Sequence, residues 1–279
     1  MKKVVLTIVC VLIIAAVLLV SAKGVYFMVN RKIAKGYNLV DPVVEKLPEE
    51  KTIIEDDYIQ LEDVRMHYVR YSGSGHPVIL IHGNGGSTES LRNIAKYLAN
   101  DYTVYAIDSR CQGKSSDPGV ISYELMAKDV AQFIEAKGLY KPYVMGHSDG
   151  GMVALALASN YPDSLGMCVS TGANSNPKQF KFYFTLGVKF NNLRKKNKLN
   201  DLMLNEPDFN EEYLAKIKVP TYVVAGEKDI MKLSDTIYIH EHIANSEIAI
   251  VKGGSHSDYV GDGRGYVLTK YFFDKYALE

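Results

Sequence analysis

One serine of this chain lies in a segment with small neighbours. The segment "GHSDG", Gly146 to Gly150, fits the pattern G-x-S-x-G, with an apolar run before it and helical spacing after it. A serine at such a strand-to-helix turn is held in a strained backbone conformation that only small residues two positions away permit. Serine is also a common helix N-cap, but the flanking glycines favour the other role. The pattern therefore predicts that Ser148 is a nucleophile.

A serine hydroxyl needs a base and an acid to become a good nucleophile. Asp229 in "AGEKD" follows an apolar run that begins at Pro220, and His256 in "GGSHSD" follows the run that begins at Glu247. The chain order serine, aspartate, histidine is one of the known orders of a catalytic triad. We expect His256 to accept the proton of Ser148 and Asp229 to hold the imidazole in the required tautomer.

Other side chains compete for these two roles. Glu227 or Asp235 could serve as the acid, but Asp229 has the better position in the loop after its strand. The loop "TGANSN" after the preceding strand contains no carboxylate. His82 and His147 precede the helix of the nucleophile, so they are better explained as residues that brace turns.

The segments around these residues alternate between two patterns. "YIQLEDVRMHYVRYSG" predicts an antiparallel strand pair with a turn at Glu62 and Asp63. Six short apolar runs have the composition of strands buried on both faces, namely 77–82, 102–108, 142–147, 166–171, 220–226 and 247–253. Segments with helical spacing separate most of these runs, as in "SYELMAKDVAQFIEAKG". We expect an α/β fold with a mostly parallel sheet covered on both faces, and functional residues at the carboxyl ends of its strands.

Five motifs in this order resemble those of the α/β-hydrolase superfamily. They are "HGNGGS", "DSRCQGKSS", "GHSDGG", "GEKD" and "GGSH", and the resemblance extends from about Asp56 to Glu279. It implies an α/β-hydrolase sheet with a short lid insertion. It also implies an oxyanion hole made of the backbone N–H groups of Asn84 and Asp149. The family commonly has glycine where this chain has Cys111, which indicates either a different local backbone or a thiol near the site.

The lid is expected at about residues 176–212, where the alternation of strands and helices is interrupted. Its aromatic segment contains Phe180, Tyr183 and Phe184, which we expect to roof an apolar acyl pocket above the nucleophile. The basic cluster "RKKNK" that begins at Arg194 is explained most simply as a solvated loop. An anionic substrate and anionic lipid headgroups are the alternatives.

A serine nucleophile limits the chemistry that the resemblance implies. Relatives that open epoxides use an aspartate at that position, so hydrolysis of a carboxylic ester through an acyl-enzyme is the expected reaction. The same triad would also serve an acyltransferase or perhydrolase, and some relatives are ligand sensors without turnover. No feature of the sequence requires a metal or organic cofactor. The "HEH" at His240 to His242 indicates a metal site only weakly, because residues i and i+2 of a helix do not face each other.

The N-terminal residues form a separate unit. Residues 1–22 contain a nearly unbroken apolar run, Val4 to Ala22, which predicts a transmembrane anchor, or a signal segment if it is cleaved. Residues 23–55 are predicted to be a juxtamembrane linker and residues 56–279 the hydrolase domain, so we expect a membrane-anchored domain outside the cytoplasm, or a secreted one after cleavage. The formal net charge of +0 argues against nucleic acid as a partner, which leaves a small acyl ester and the membrane. The oligomeric state stays open.

Overall fold

The computed structural model describes residue 28 and residues 31–277. Within them, nine strands form one sheet. The strands are β1 Leu39–Val40, β2 Ile53–Gln60, β3 Arg65–Tyr71, β4 Pro77–Ile81, β5 Thr103–Ile107, β6 Tyr143–His147, β7 Met167–Thr171, β8 Thr221–Gly226 and β9 Ser246–Val251. Their order in the sheet is β1-β9-β8-β7-β6-β4-β5-β3-β2. The pairs β2–β3 and β3–β5 are antiparallel, and the other pairs are parallel.

Helices cover both faces of this sheet. In chain order they are α1 Arg92–Leu98, α2 Tyr123–Ala136, α3 Asp149–Asn160, α4 Phe182–Arg194, α5 Lys198–Asn205, α6 Glu211–Leu214, α7 Leu233–Glu241, α8 Asp258–Gly261 and α9 Arg264–Tyr276. One apolar core lies between the sheet and helices α2 and α3, and a second lies between the opposite face and helices α1, α8 and α9. This arrangement confirms the predicted mostly parallel sheet with two covered faces.

The predicted strand pair and the six predicted buried strands are all present. The hairpin pairs Tyr58 with His67, and the six apolar runs form β4 to β9 with ends that shift by one or two residues. Strand β6 is buried along its whole length, as is almost all of α3. Because α3 is built largely from glycine, alanine and apolar residues, it packs closely on the sheet and fixes the position of the residue that precedes it.

Within the predicted linker, residues 23–55, part of the described chain has regular secondary structure. Residues 31–36 are helical, β1 pairs in parallel with β9 through Leu39 and Ile250, and β2 begins at Ile53. Ala34 is fully buried in a small cluster that includes Leu233. A two-residue strand and a short helix carry too little periodicity to be recognised in the sequence, and they form here because the edge of β9 offers a partner.

The predicted membrane segment, residues 1–22, lies outside the described residues. Among the residues that are described, none of the helices has both the length and the apolar character needed to cross a membrane.

The segment between β7 and β8 is helical. It contains a 3-10 turn at Pro177–Gln179 followed by helices α4, α5 and α6. It leaves the sheet at the carboxyl end of β7, so it lies at the edge where β6, β8 and β9 also end. We refer to the segment from residue 176 to residue 214 as the lid.

Candidate active site

Ser148 occupies a strained turn between β6 and α3. Its φ and ψ angles are 55° and −119°, outside the regions that residues with side chains usually adopt. A Cβ atom at Gly146 would lie 1.9 Å from the carbonyl oxygen of Gly150, and one at Gly150 would lie 2.0 Å from the carbonyl oxygen of Ile81. Both glycines are therefore required by close backbone contacts. The Ser148 side chain makes no N-capping hydrogen bond, so capping does not explain the serine.

The structure brings Ser148, His256 and Asp229 together. The Ser148 Oγ lies 3.0 Å from His256 Nε2, and the other ring nitrogen, Nδ1, lies 2.7 Å from Asp229 Oδ1. The three residues follow β6, β9 and β8 at the same edge of the sheet. The backbone N–H of Lys228 donates to the carbonyl of Gly254 at 2.7 Å, which ties the aspartate loop to the histidine loop.

Asp229 is buried and ionised. Burial acts to raise the pKa of its carboxyl, but the neighbouring His256 and the backbone N–H of Met231 outweigh burial and hold the pKa below its usual value. The Met231 N–H donates to Oδ1 at 3.2 Å. A buried carboxylate that accepts from the histidine ring fixes which ring nitrogen carries the proton, and it leaves Nε2 free to act as a base toward the serine.

The two competing carboxylates have other partners. Glu227 accepts a hydrogen bond from the Gly253 N–H at 2.8 Å and lies 3.7 Å from the Nε of Arg31. Asp235 accepts from the backbone N–H and the hydroxyl of Ser175, at 2.8 and 2.5 Å. Of the three acidic candidates, Asp229 is the one whose carboxylate lies within hydrogen-bonding distance of His256 in the described part of the chain.

The two competing histidines brace the turns around the site. His82 Nδ1 lies 2.7 Å from the carbonyl of Gly83, and its Nε2 accepts from the Ser109 N–H at 3.1 Å. His147 Nδ1 lies 3.0 Å from the Thr171 hydroxyl, and its ring centre is 4.9 Å from that of His256. Burial, together with the nearby His256, lowers the pKa of His147 to about 3, so this ring is neutral at physiological pH.

The loop after β4 lies directly against the nucleophile. A Cβ atom at Gly83 would be 3.0 Å from the Cβ of Ser148, which places the next residue, Asn84, beside the serine. Asp149 is the first residue of α3, and the first N–H groups of a helix have no acceptor within the helix. Asn84, next to Gly83, and Asp149, next to Ser148, are thus both close to the nucleophile in the structure.

Sequence reasoning considered only the backbone of Asp149 and missed its side chain. The buried carboxylate accepts a hydrogen bond from Asn84 Nδ2 at 2.8 Å and another from the Tyr123 hydroxyl at 3.1 Å. The same Asn84 amide also donates to the carbonyl of Leu199 in α5 at 3.2 Å. These contacts join the loop after β4, the nucleophile turn and the lid. The signal in the sequence that could have indicated this role is the presence of a carboxylate directly after the proposed nucleophile.

The predicted lid aromatics do not share one environment. Phe180 is buried, its ring centre lies 4.9 Å from that of Phe184, and its backbone pairs with Met231 beside the Asp229 loop. Tyr183 is more than half exposed and faces solvent, contrary to its predicted place in the roof of a pocket. Phe184 follows about 100° further round the helix, where it is half-buried beside Phe180.

Cys111 adopts the left-handed backbone conformation that glycine favours, with φ at 63°. The backbone therefore keeps the shape that a glycine would give it. Burial and the neighbouring Asp117 raise the pKa of the Cys111 thiol to about 11, and its Sγ lies 3.1 Å from Asp117 Oδ1. The thiol is protonated at neutral pH, which makes it a poor nucleophile.

The two histidines of "HEH" each lie within hydrogen-bonding distance of a neighbouring protein group. His240 Nδ1 lies 2.8 Å from the Ser246 hydroxyl, and His242 Nδ1 lies 2.8 Å from the carbonyl of Tyr238. Within residues 31–277, no group of three or more histidine, cysteine, aspartate or glutamate side chains is arranged to hold a metal ion.

Comparison with known proteins gives a consistent set of similarities. Residues 76–189 match the family model of the alpha/beta hydrolase fold. The chain is 31% identical over 251 residues to the abhydrolase domain-containing protein C22H12.03 of Schizosaccharomyces pombe, a match that covers 79% of this chain and 90% of that protein. It is 26% identical over 240 residues to the human serine hydrolase BPHL, covering 74% of this chain and 81% of that one. Among solved structures, a membrane phospholipase A superposes with a TM-score of 0.69 at 19% identity and full coverage of both chains, a likeness of fold.

Proposed function

This chain belongs to the α/β-hydrolase family, and on that premise we propose that it is a serine hydrolase that cleaves carboxylic esters through an acyl-enzyme intermediate. The observation that carries the proposal is the position of the His256 ring, with one nitrogen 3.0 Å from the Ser148 hydroxyl and the other 2.7 Å from a buried carboxylate. Few arrangements other than a catalytic triad give all three groups this order and geometry.

In the proposed reaction, Ser148 Oγ attacks the acyl carbon of the ester while His256 Nε2 takes the hydroxyl proton. The negative charge that develops on the carbonyl oxygen is stabilised by the backbone N–H groups of Asn84 and Asp149. The tetrahedral intermediate collapses, the alkoxide leaves with the proton from His256, and the acyl group stays on the serine. A water molecule, deprotonated by His256, then releases the acid and restores the enzyme. Asp229 stabilises the imidazolium at both stages.

Three arguments support a serine mechanism and an ester substrate. The nucleophile is a serine, which forms acyl-enzymes, and not the aspartate used for epoxide opening. An alkoxide leaving group demands less of the acid than an amine does. The human relative carries the name serine hydrolase. We propose further that residues 1–22 anchor the chain in a membrane, with the hydrolase domain outside the cytoplasm.

The test uses the full chain with a fluorophosphonate probe and p-nitrophenyl esters of increasing acyl length. Ser148→Ala is expected to abolish both labelling and turnover. Ser164→Ala is the matched control, because the hydroxyl of Ser164 donates to the carbonyl of Tyr161 in its own turn. The control should retain both activities. Labelling without turnover would favour a ligand sensor or a narrow substrate range, and absence of labelling in the folded wild type would contradict the proposal.

A second pair of variants assigns the acid. Asp229→Asn is expected to lower kcat by about 10³ to 10⁴-fold, because the amide favours the wrong tautomer of the histidine. Glu227→Gln keeps an oxygen that accepts from Gly253 and should leave kcat within a few-fold of the wild type. The reverse order of effects would make Glu227 the acid.

A further inference from the structure

The outward face of α4 is apolar. Five large side chains on this helix are exposed: Phe182, Tyr183, Leu186, Phe190 and Leu193. Phe182 is 79% exposed and Leu193 is 86% exposed, values more typical of lysine than of core residues. A surface helix of a globular protein normally places polar residues on this side. We call these five residues the lid face.

The lid face is a continuous stripe. At 100° per residue, its five members fall within an arc of about 100° on the helix. Val188, on the far side, is buried against the domain, so the orientation of the helix is fixed by its packing. Lys189 borders the stripe on one side and Arg194 on the other. An apolar stripe with a basic border is the pattern of helices that lie in a membrane interface.

The charge around the stripe has one sign. Between Pro177 and Lys198 the chain carries seven basic residues and no acidic one, although the whole chain has a formal net charge of +0. Lys198 is paired with Asp117, whereas the basic residues from Lys189 to Lys196 lie in α4 and directly after it. A local positive field of this kind complements anionic lipid headgroups, and each basic residue near such a surface contributes about 1 kcal/mol to binding.

The start of the lid and the start of the described chain contact the same loop, the one that carries Asp229. The start of the lid is attached to the Asp229 loop, because the Lys181 N–H donates to the carbonyl of Ile230 at 2.9 Å. Arg31, near the start of the described chain, lies 3.7 Å from Glu227 of the same loop. The apolar run Val4 to Ala22 therefore precedes a point of entry that is close to the lid.

We propose that the lid face docks on the surface of an anionic phospholipid bilayer. The apolar stripe enters the interfacial region, the basic border contacts the headgroups, and the edge of the sheet that carries Ser148 faces the lipid. Anionic lipid is the occupant that matches both the apolar side chains and the uniform positive charge. The proposal concerns this surface alone and holds whether or not Ser148 is a nucleophile.

The absence of tryptophan from the sequence permits a direct test. Phe190→Trp places a single fluorophore on the lid face, and Tyr140→Trp places one on a side chain that is 76% exposed in the loop before β6, at the opposite edge of the sheet. Each full-length variant is reconstituted into vesicles of phosphatidylcholine with and without phosphatidylglycerol, and emission is measured with brominated acyl chains as quenchers.

The expected result is a blue shift and strong quenching for Phe190→Trp in vesicles that contain phosphatidylglycerol, with no comparable change for Tyr140→Trp. Adding Lys189→Glu and Arg194→Glu to Phe190→Trp should reduce the quenching several-fold. Equal quenching at the two positions would overturn the proposal. A blue shift that depends on protein concentration, without quenching by the brominated acyl chains, would also overturn the proposal. It would indicate that a second copy of this chain covers the lid face. Far-UV circular dichroism and the thermal unfolding midpoint verify that each variant is folded.

Discussion

At the scale of single residues, Asp149 joins parts of the site that are far apart in sequence. Its backbone N–H is one of the two proposed oxyanion donors, and its side chain holds Asn84, which carries the other. Burial raises the pKa of the Asp149 carboxyl to about 6, and the hydrogen bonds from Asn84 and Tyr123 partly oppose that effect. The positions of both proposed donors thus depend on a carboxyl group that changes protonation near neutral pH.

This shift predicts a pH dependence of stability. Because the pKa is about 6 in the folded protein and 3.8 is the ordinary value, the folded state takes up a proton between pH 7 and 5 that the unfolded state does not. When the pH is lowered from 7 to 5, the unfolding free energy of the wild type should therefore rise by on the order of 1 kcal/mol relative to that of Asp149→Asn. Urea unfolding at pH 7 and pH 5 measures the difference. Asp163→Asn, at an exposed position, is the control, and an identical response of both variants would refute the assignment.

At the scale of elements, a buried ion pair attaches α2 to the loop after β5. The side chain of Arg110 is fully buried, and its Nε and Nη2 each lie 2.6 Å from an oxygen of Asp129. The same loop carries Gln112, whose side-chain oxygen accepts from the Gly85 N–H at 2.6 Å. Helix α2 thereby supports the loop beside the nucleophile through two polar contacts.

Loss of this ion pair should destabilise the fold strongly. Asp129→Ala leaves the buried guanidinium without its main partner, which is expected to cost about 3–5 kcal/mol in unfolding free energy. Glu62→Ala is the matched control, since Glu62 pairs with Lys128 on the surface and its removal should cost less than about 1 kcal/mol. Denaturant unfolding compares the two, and similar small losses would show that Arg110 tolerates the loss of its partner.

At the scale of the whole molecule, the described residues from 31 to 40 pack against the edge of the sheet. Asn38 and Val40 accept backbone hydrogen bonds from Ile250 and Lys252, which covers the edge of β9. Ala34 is buried in the cluster formed with α7 and β9. A free strand edge promotes aggregation, so this cover protects the sheet as well as stabilising it.

A chain that begins at residue 51 should consequently be less stable than one that begins at residue 28. Removal of the short helix and β1 exposes several apolar side chains, which is expected to cost about 2 kcal/mol or more. For a domain of this size that corresponds to a Tm lower by about 5 °C. Differential scanning calorimetry of both chains measures it, and equal Tm values would show that residues 31–50 are a dispensable linker.

Local patterns determined much of this protein from the sequence alone. The six buried strands, the hairpin and the order of Ser148, Asp229 and His256 all follow from short apolar runs and turn residues. These features depend on backbone preferences and periodicity within a few residues, which a sequence displays directly. The requirement for glycine at position 146 also arises within a few residues, because the close contact of Gly146 is with Gly150 in the same turn.

Tertiary structure alone decided which side chains meet. The hydrogen bond between Ser148 and His256 spans 108 positions, and the one between His256 and Asp229 spans 27. The outward position of Tyr183 and the pairing of β1 with β9 were likewise not visible in the sequence. Such contacts arise from the packing of whole elements on the sheet, so their geometry depends on residues throughout the chain and on no local pattern.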